Sequence, residues 1–195
     1  MRRHIVQRGG PGDYLATLST DLSRLFRQRA EPREPAARPG HPLAIHRLRD
    51  APAVEHFSWG CTPNRGRHRP TADARLDMLL RDPAAWWPLL SQRVLVPADG
   101  WYEPGESGRR VPRYFRRRDG RPFYIAGIAA WRPGWRALPD GLAILTDRGA
   151  KARPDAAHLP IVLPARAALA WIDPATPVID ALRLACMPWR EDGAP

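Results

Sequence analysis

From residue 93 to residue 146 the chain is a succession of short apolar runs cut by turn residues, and a chain punctuated in this way has to bury a sheet. The runs at 93–97, 111–118, 122–131 and 142–146 read as strands. Asp119-Gly120, between the second and third, is the dipeptide expected in a tight hairpin. Two further strands are predicted upstream, at 43–48 and about 54–60. Helical spacing is confined to a few stretches. Residues 13–29 place Leu15, Leu18, Leu22, Leu25 and Phe26 on one face, with Asp13 as N-cap after Pro11-Gly12. Residues 82–90 form a short helix that Pro88 bends or ends, and 165–172 a helix closed by Asp173-Pro174. Residues 176–187 read as strand-like, and the proline-rich stretch 30–42 as a surface connection. Many strands with a few interspersed helices make an α+β fold.

A chain of 195 residues, 44% of them apolar, is long enough for one buried core and needs no second domain. The expected division is one domain over 1–188 and a frayed tail over 189–195. No apolar run approaches the length of a membrane helix and no secretory signal opens the chain, so the expectation is a cytoplasmic monomer. Cys61 and Cys186 lack partners at zinc-ligand spacing and are expected to be buried apolar residues. No metal or organic cofactor is implied.

Charge is the more informative part of the composition. Lys and Arg number 31 against 20 acidic residues, a net charge of +11, and every basic residue except Lys151 is arginine. Such a surface attracts polyanions, and the planar guanidinium suits phosphate. One cluster gathers Arg65, Arg67, His68 and Arg69; a second gathers Arg109, Arg110, Arg113, Arg116, Arg117 and Arg118. An arginine-rich, lysine-poor, alanine- and proline-rich composition is also what a GC-rich genome produces.

Three motifs follow one another: Trp59-Gly-Cys-Thr-Pro63, then Asp73-Ala-Arg-Leu-Asp77, then Pro97-Ala-Asp-Gly-Trp-Tyr-Glu103. Their order and spacing resemble the core of the SOS response-associated peptidase (SRAP) family, which reads Trp-Gly-Leu-Ile-Pro, Asn-Ala-Arg-x-Glu and Pro-Ala-Asp-Gly-Phe/Tyr-Tyr-Glu. The resemblance implies a curved, barrel-like, mostly antiparallel sheet with flanking helices. It also implies covalent capture of abasic sites in single-stranded DNA, beside a less secure peptidase label.

Family members begin Met-Cys-Gly-Arg, and the exposed cysteine supplies an amine that forms a Schiff base and a thiolate that closes it to a thiazolidine. This chain has Arg2 there, and the large side chain implies that Met1 is retained. By the same resemblance Glu103 is the acid/base glutamate and Arg75 holds the DNA backbone. Asp73 stands for the family's Asn and Asp77 for its Glu. Ala36 stands for another Asn. Counting back from Pro160, the catalytic His falls on Ala156; His158 fills that role only if the loop carries a deletion, and is otherwise a loop histidine. Arg65, Arg67 and Arg69 lie beside the implied DNA groove. Trp101 is read equally as a base-stacking surface and as core, Trp59 as core.

Three functions remain open: noncovalent binding of single-stranded or abasic DNA; a residual Schiff-base lyase using the Met1 amine with Glu103; and a pseudoenzyme that keeps the fold to bind a protein partner.

Overall fold

The computed structural model describes residues 4–18, 41–48, 51–62, 70–103, 112–130, 141–148 and 158–186. Eleven strands and five helices lie within them: β1 (His4–Val6), α1 (Pro11–Ala16), β2 (Leu43–Leu48), β3 (Ala51–His56), β4 (Asp73–Arg75), α2 (Leu76–Arg81), α3 (Pro83–Leu90), β5 (Arg93–Ala98), β6 (Gly100–Glu103), β7 (Arg113–Phe115), β8 (Phe123–Ala130), β9 (Gly141–Asp147), β10 (Leu159–Pro160), β11 (Val162–Leu163), α4 (Ala165–Ile172) and α5 (Val178–Ala185). The fold is the α+β arrangement expected, with a large curved sheet in the order β10-β9-β8-β5-β2-β3 and a small sheet β1-β6-β7. β11 joins β8 and β4 joins β9; every pairing is antiparallel except β4 with β9.

Alternation along the large sheet builds two apolar layers. On β5, Leu95 faces the helices with Leu79, Leu90 and Trp171, whereas Val94, Val96 and Ala98 face inward with Phe57, Ile125, Leu142 and Ile144. Trp101 of β6 closes the inner layer, and Ile5 and Phe115 pack against it from the small sheet. On the helical side Trp171 is fully buried, and its indole N–H is shared between the carbonyls of Val94 (2.9 Å) and Gly127 (3.2 Å) on neighbouring strands.

Four local expectations are corrected. The cap of α1 is Gly10, not Asp13: Pro11 already occupies the first helical turn, and Asp13 reaches back to accept from the Gly10 N–H at 2.8 Å. Residues 178–185 are helix, because Ala181, Leu182 and Ala185 recur at i, i+1 and i+4 on the buried face, a pattern that a strand cannot bury on one side. The strand expected over 54–60 spans 51–56, and Trp59 makes a single bridge to Leu142 beside Gly60, whose φ is +98°. The hairpin expected around Asp119-Gly120 is not one: β7 pairs with β6, and β8 with β5 and β9, so the turn carries the chain from one sheet to the other.

α3 ends at Leu90, two residues after Pro88. Leu15 and Leu18 are buried as expected, while Leu22, Leu25 and Phe26 lie outside the described residues, as do Ala36, Ala156 and the tail over 189–195. Cys61 is buried and its thiol is pushed up to about 12 by burial. Cys186 is exposed at the end of α5, contrary to expectation, because it follows the last buried turn of that helix. Among the described residues no helix is long and apolar enough to cross a membrane.

Candidate functional site

The second motif folds into β4 and the start of α2 because its one apolar strand position, Ala74, enters the helical-side core beside Leu145 while Asp73 and Arg75 point the other way. Parallel pairing sets Arg75 against Thr146 of β9, and on the far edge of β9 antiparallel pairing sets Pro160 against the same Thr146. The end of β9 is thereby flanked by Arg75 on one side and by the His158-Leu159-Pro160 segment on the other. Strand alternation puts Thr146 and Arg75 on the Ile144 side, the face covered by the small sheet.

Asp77 clasps Arg75 along one edge. Nε donates to Oδ1 at 3.0 Å and Nη2 to Oδ2 at 2.6 Å, while Arg81 lies 3.9 Å from Oδ2. The hydrogen bond from Arg75, aided by the charges of Arg75 and Arg81, holds the Asp77 carboxyl below the usual carboxylate range. Nη1 of Arg75 has no acceptor among the described residues, so none of them occupies the edge formed by Nη1 and Nη2. A guanidinium fixed on one edge presents the other as a ready fork for an oxyanion. His158 is held below its ordinary pKa by burial first, then by the charges of Arg75 and Arg148, against which Asp77 and Asp147 pull upward. It is therefore neutral at pH 7, in electrostatic reach of Arg75.

The third motif supplies β5 and β6 and the link between them. Glu103 is buried at the end of β6, opposite Arg113 of β7. Its strand is also the partner of β1, with His4 opposite Tyr102, so the amino-terminal end of β1 points along β6 toward Glu103. A polar latch that sequence reasoning missed holds β1 there. Asp99 Oδ2 accepts from the Arg8 N–H (2.6 Å) and from the Tyr14 hydroxyl (2.8 Å), which in turn accepts from the Gly9 N–H (2.9 Å). The Gln7 amide donates to the carbonyls of Leu43 and Pro97 and accepts from the Leu43 N–H. Thr146 was missed too. It is fully buried, and its hydroxyl has no partner among the described residues, a polar end to an otherwise apolar strand.

Trp101 is corrected as a base-stacking residue. The ring is 5% exposed, stacked on Phe115 at 5.4 Å and met edge-on by Phe123 at 4.8 Å, so it has no open face for a base. Trp59 packs against the same inner layer. Asp73 is exposed at the start of β4. Met1, Arg65, Arg67 and Arg69 lie outside the described residues. Among the described residues no group of three or more His, Cys, Asp or Glu side chains is placed to hold a metal ion.

A family model described as SOS response associated peptidase (SRAP) matches residues 15–192. Among solved structures, that of a phage-related protein from Bordetella bronchiseptica is 33% identical, over 93% of this chain and 86% of that one, with a TM-score of 0.71. That of a protein from Bacteroides thetaiotaomicron is 20% identical, over 74% of this chain and 68% of that one, with a TM-score of 0.56, a likeness of fold. No curated protein matches the chain.

Proposed function

The chain belongs to the SOS response associated peptidase (SRAP) family, and we propose from that premise that it binds single-stranded or abasic-site DNA in the DNA damage response without forming a stable covalent adduct. The observation that carries this reading is the Arg75 guanidinium, clamped on one edge by Asp77 and without an acceptor for Nη1 among the described residues, with His158 in electrostatic reach across the end of β9. This is the equipment for gripping a phosphodiester. The thiolate that would seal a Schiff base into a thiazolidine has Arg2 at its position.

Affinity for a single-stranded oligonucleotide is expected to fall steeply with salt, since each neutralised phosphate releases counterions and contributes about −0.7 to the slope of log K against log salt. Arg75→Gln should flatten that slope by roughly one phosphate's worth and weaken binding at every sequence tested. Fluorescence anisotropy between low and moderate salt measures both, and wild-type binding unchanged over that range contradicts the proposal.

The pH dependence has a definite sign. Because the folded pKa of His158 lies below its ordinary 6.5, the ring is neutral at pH 7 and protonates only as the solution is acidified. A bound phosphate favours the charged ring, so DNA binding takes up a proton and affinity rises as pH falls from 7 toward 5. His158→Ala should lose this rise. An equal rise in the variant assigns it to other groups.

The register of β1 on β6 favours a second reading, in which the Met1 amine adds to the abasic aldehyde with loss of water. An α-amine with a reference pKa of about 7.7 to 8.0 is partly deprotonated at neutral pH. Glu103 would then take the proton from the sugar carbon next to the imine as the 3′-phosphate leaves, giving strand cleavage.

A further inference from the structure

The outward face of the small sheet belongs neither to the core nor to the Arg75 site. Alternation on β6 and β7 sends Trp101, Glu103 and Phe115 inward, and leaves Tyr102 and Tyr114 side by side on the other face, ring centroids 4.6 Å apart, with His4 of β1 at 6.3 Å from Tyr102. Tyr102 is 38% exposed. Gly100 makes this row possible: a Cβ there would stand 2.5 Å from the Tyr114 hydroxyl, so only glycine lets that ring lie across the strand.

From Tyr114 the chain runs directly into the turn at 116–121, where Arg116, Arg118 and Arg121 are exposed. Asp119 is the one carboxylate of this stretch. It binds Arg117 through two hydrogen bonds, at 2.9 and 2.6 Å, and accepts from the Arg121 N–H at 3.0 Å, which fixes the turn. Arg116, Arg118 and Arg121 make no side-chain ion pair among the described residues, unlike Arg75, Arg117 and Arg183.

We infer that the Tyr102–Tyr114 face and the adjoining arginine turn form a second platform for single-stranded nucleic acid, on the side of the small sheet opposite Glu103. Aromatic faces hold successive bases without sequence choice, and the arginines meet the backbone between them. An acidic protein would be drawn by the same charges; what favours a nucleic acid is the alternation of a paired aromatic face with exposed arginines in the segment that follows it, base planes on the one and phosphates on the other. The turn begins two residues beyond Tyr114, a reach of roughly 7 Å along an extended chain, about one nucleotide step of a stretched single strand. This inference goes beyond the Arg75 site and does not depend on it.

The test uses the full chain and a labelled oligothymidylate of twenty nucleotides, with anisotropy followed over a salt series. Tyr102→Ala should weaken binding about tenfold, the effect of losing one stacked base, with the salt slope unchanged. R116Q/R118Q/R121Q, at three exposed positions outside the core, should reduce the slope by about 2, three phosphates at about 0.7 each. Arg75→Gln runs alongside. If it weakens binding while both surface variants bind as wild type, the platform is wrong and the Arg75 site stands. If the surface variants weaken binding and Arg75→Gln does not, the platform stands and the Arg75 site fails. Polyglutamate is the control for charge alone: affinity for it that Tyr102→Ala lowers as much as affinity for the oligonucleotide overturns the stacking role.

Discussion

Gly141→Ala is expected to abolish the native packing of the large sheet. Gly141 opens β9 at φ +133°, and a Cβ there would fall 1.8 Å from the Gly60 carbonyl oxygen and 2.8 Å from its carbon. Neither atom belongs to a side chain that can swing away. The Trp59-Gly60 segment is tied to this strand by two hydrogen bonds of 2.8 Å, Gly60 N–H to the Leu142 carbonyl and Leu142 N–H to the Ser58 carbonyl. Making room means breaking both and parting β9 from its neighbour, at a cost of about 4 kcal/mol or more, in the range where single substitutions unfold small domains. Thermal unfolding followed by tryptophan fluorescence should show a midpoint at least roughly 10 °C lower, or no cooperative transition. A midpoint within a few degrees of wild type means that the two glycines do not hold these segments together.

Arg93→Met is expected to cost nearly as much, for an electrostatic reason. Arg93 is a buried guanidinium at the start of β5 that donates to four carbonyls: Leu90 at 3.0 Å, Trp171 at 2.5 Å, Asp173 at 2.7 Å and Thr176 at 2.8 Å. It gathers the end of α3, the end of α4 and the link to α5 around one side chain, and its ring contact with Trp171 adds to the packing. Methionine fills much of the volume but leaves those carbonyls without their donor, at about 3–5 kcal/mol. Arg93→Lys, with three donors on one nitrogen, should fall between the two. A loss under about 1 kcal/mol for Arg93→Met in denaturant titration would mean that water replaces the guanidinium.

These two positions also mark what a sequence makes legible. Strands such as 93–98 and 141–147 declare themselves through apolar runs, and the glycines in Trp-Gly and Asp-Gly stand out as punctuation. The reason for each glycine does not, because it is an approach of backbone distant in sequence: Gly60 to Gly141, Gly100 to Tyr114. A turn dipeptide likewise specifies a reversal but not the partner, so Asp119-Gly120 was legible as a turn while the pairing of β7 with β6 was not. α5 is short enough for its spacing to pass for strand, and only its packing against α4 and β11 decides.

The site divides the same way. Arg75 and Glu103 are legible because they sit in motifs. Thr146, the Asp99–Tyr14 latch and the Asp77 clasp depend on register and hydrogen bonding, which no local pattern carries. Trp101 was ambiguous in sequence because a stacking platform and a core ring use the same residue; burial between Phe115 and Phe123 resolves it as core.

DNA binding without a stable covalent bond is decided by incubating the protein with a single-stranded oligonucleotide carrying one abasic site, with and without borohydride. A denaturing gel is read beside a native gel at two salt concentrations. A salt-sensitive native shift and no crosslink in the absence of reductant are expected. A species trapped only by borohydride, accompanied by strand cleavage that Glu103→Gln suppresses, assigns the Met1 amine reading instead. A crosslink that forms without reductant would mean that another nucleophile replaces the missing thiolate, and the absence of any shift would mean that the protein does not bind this DNA.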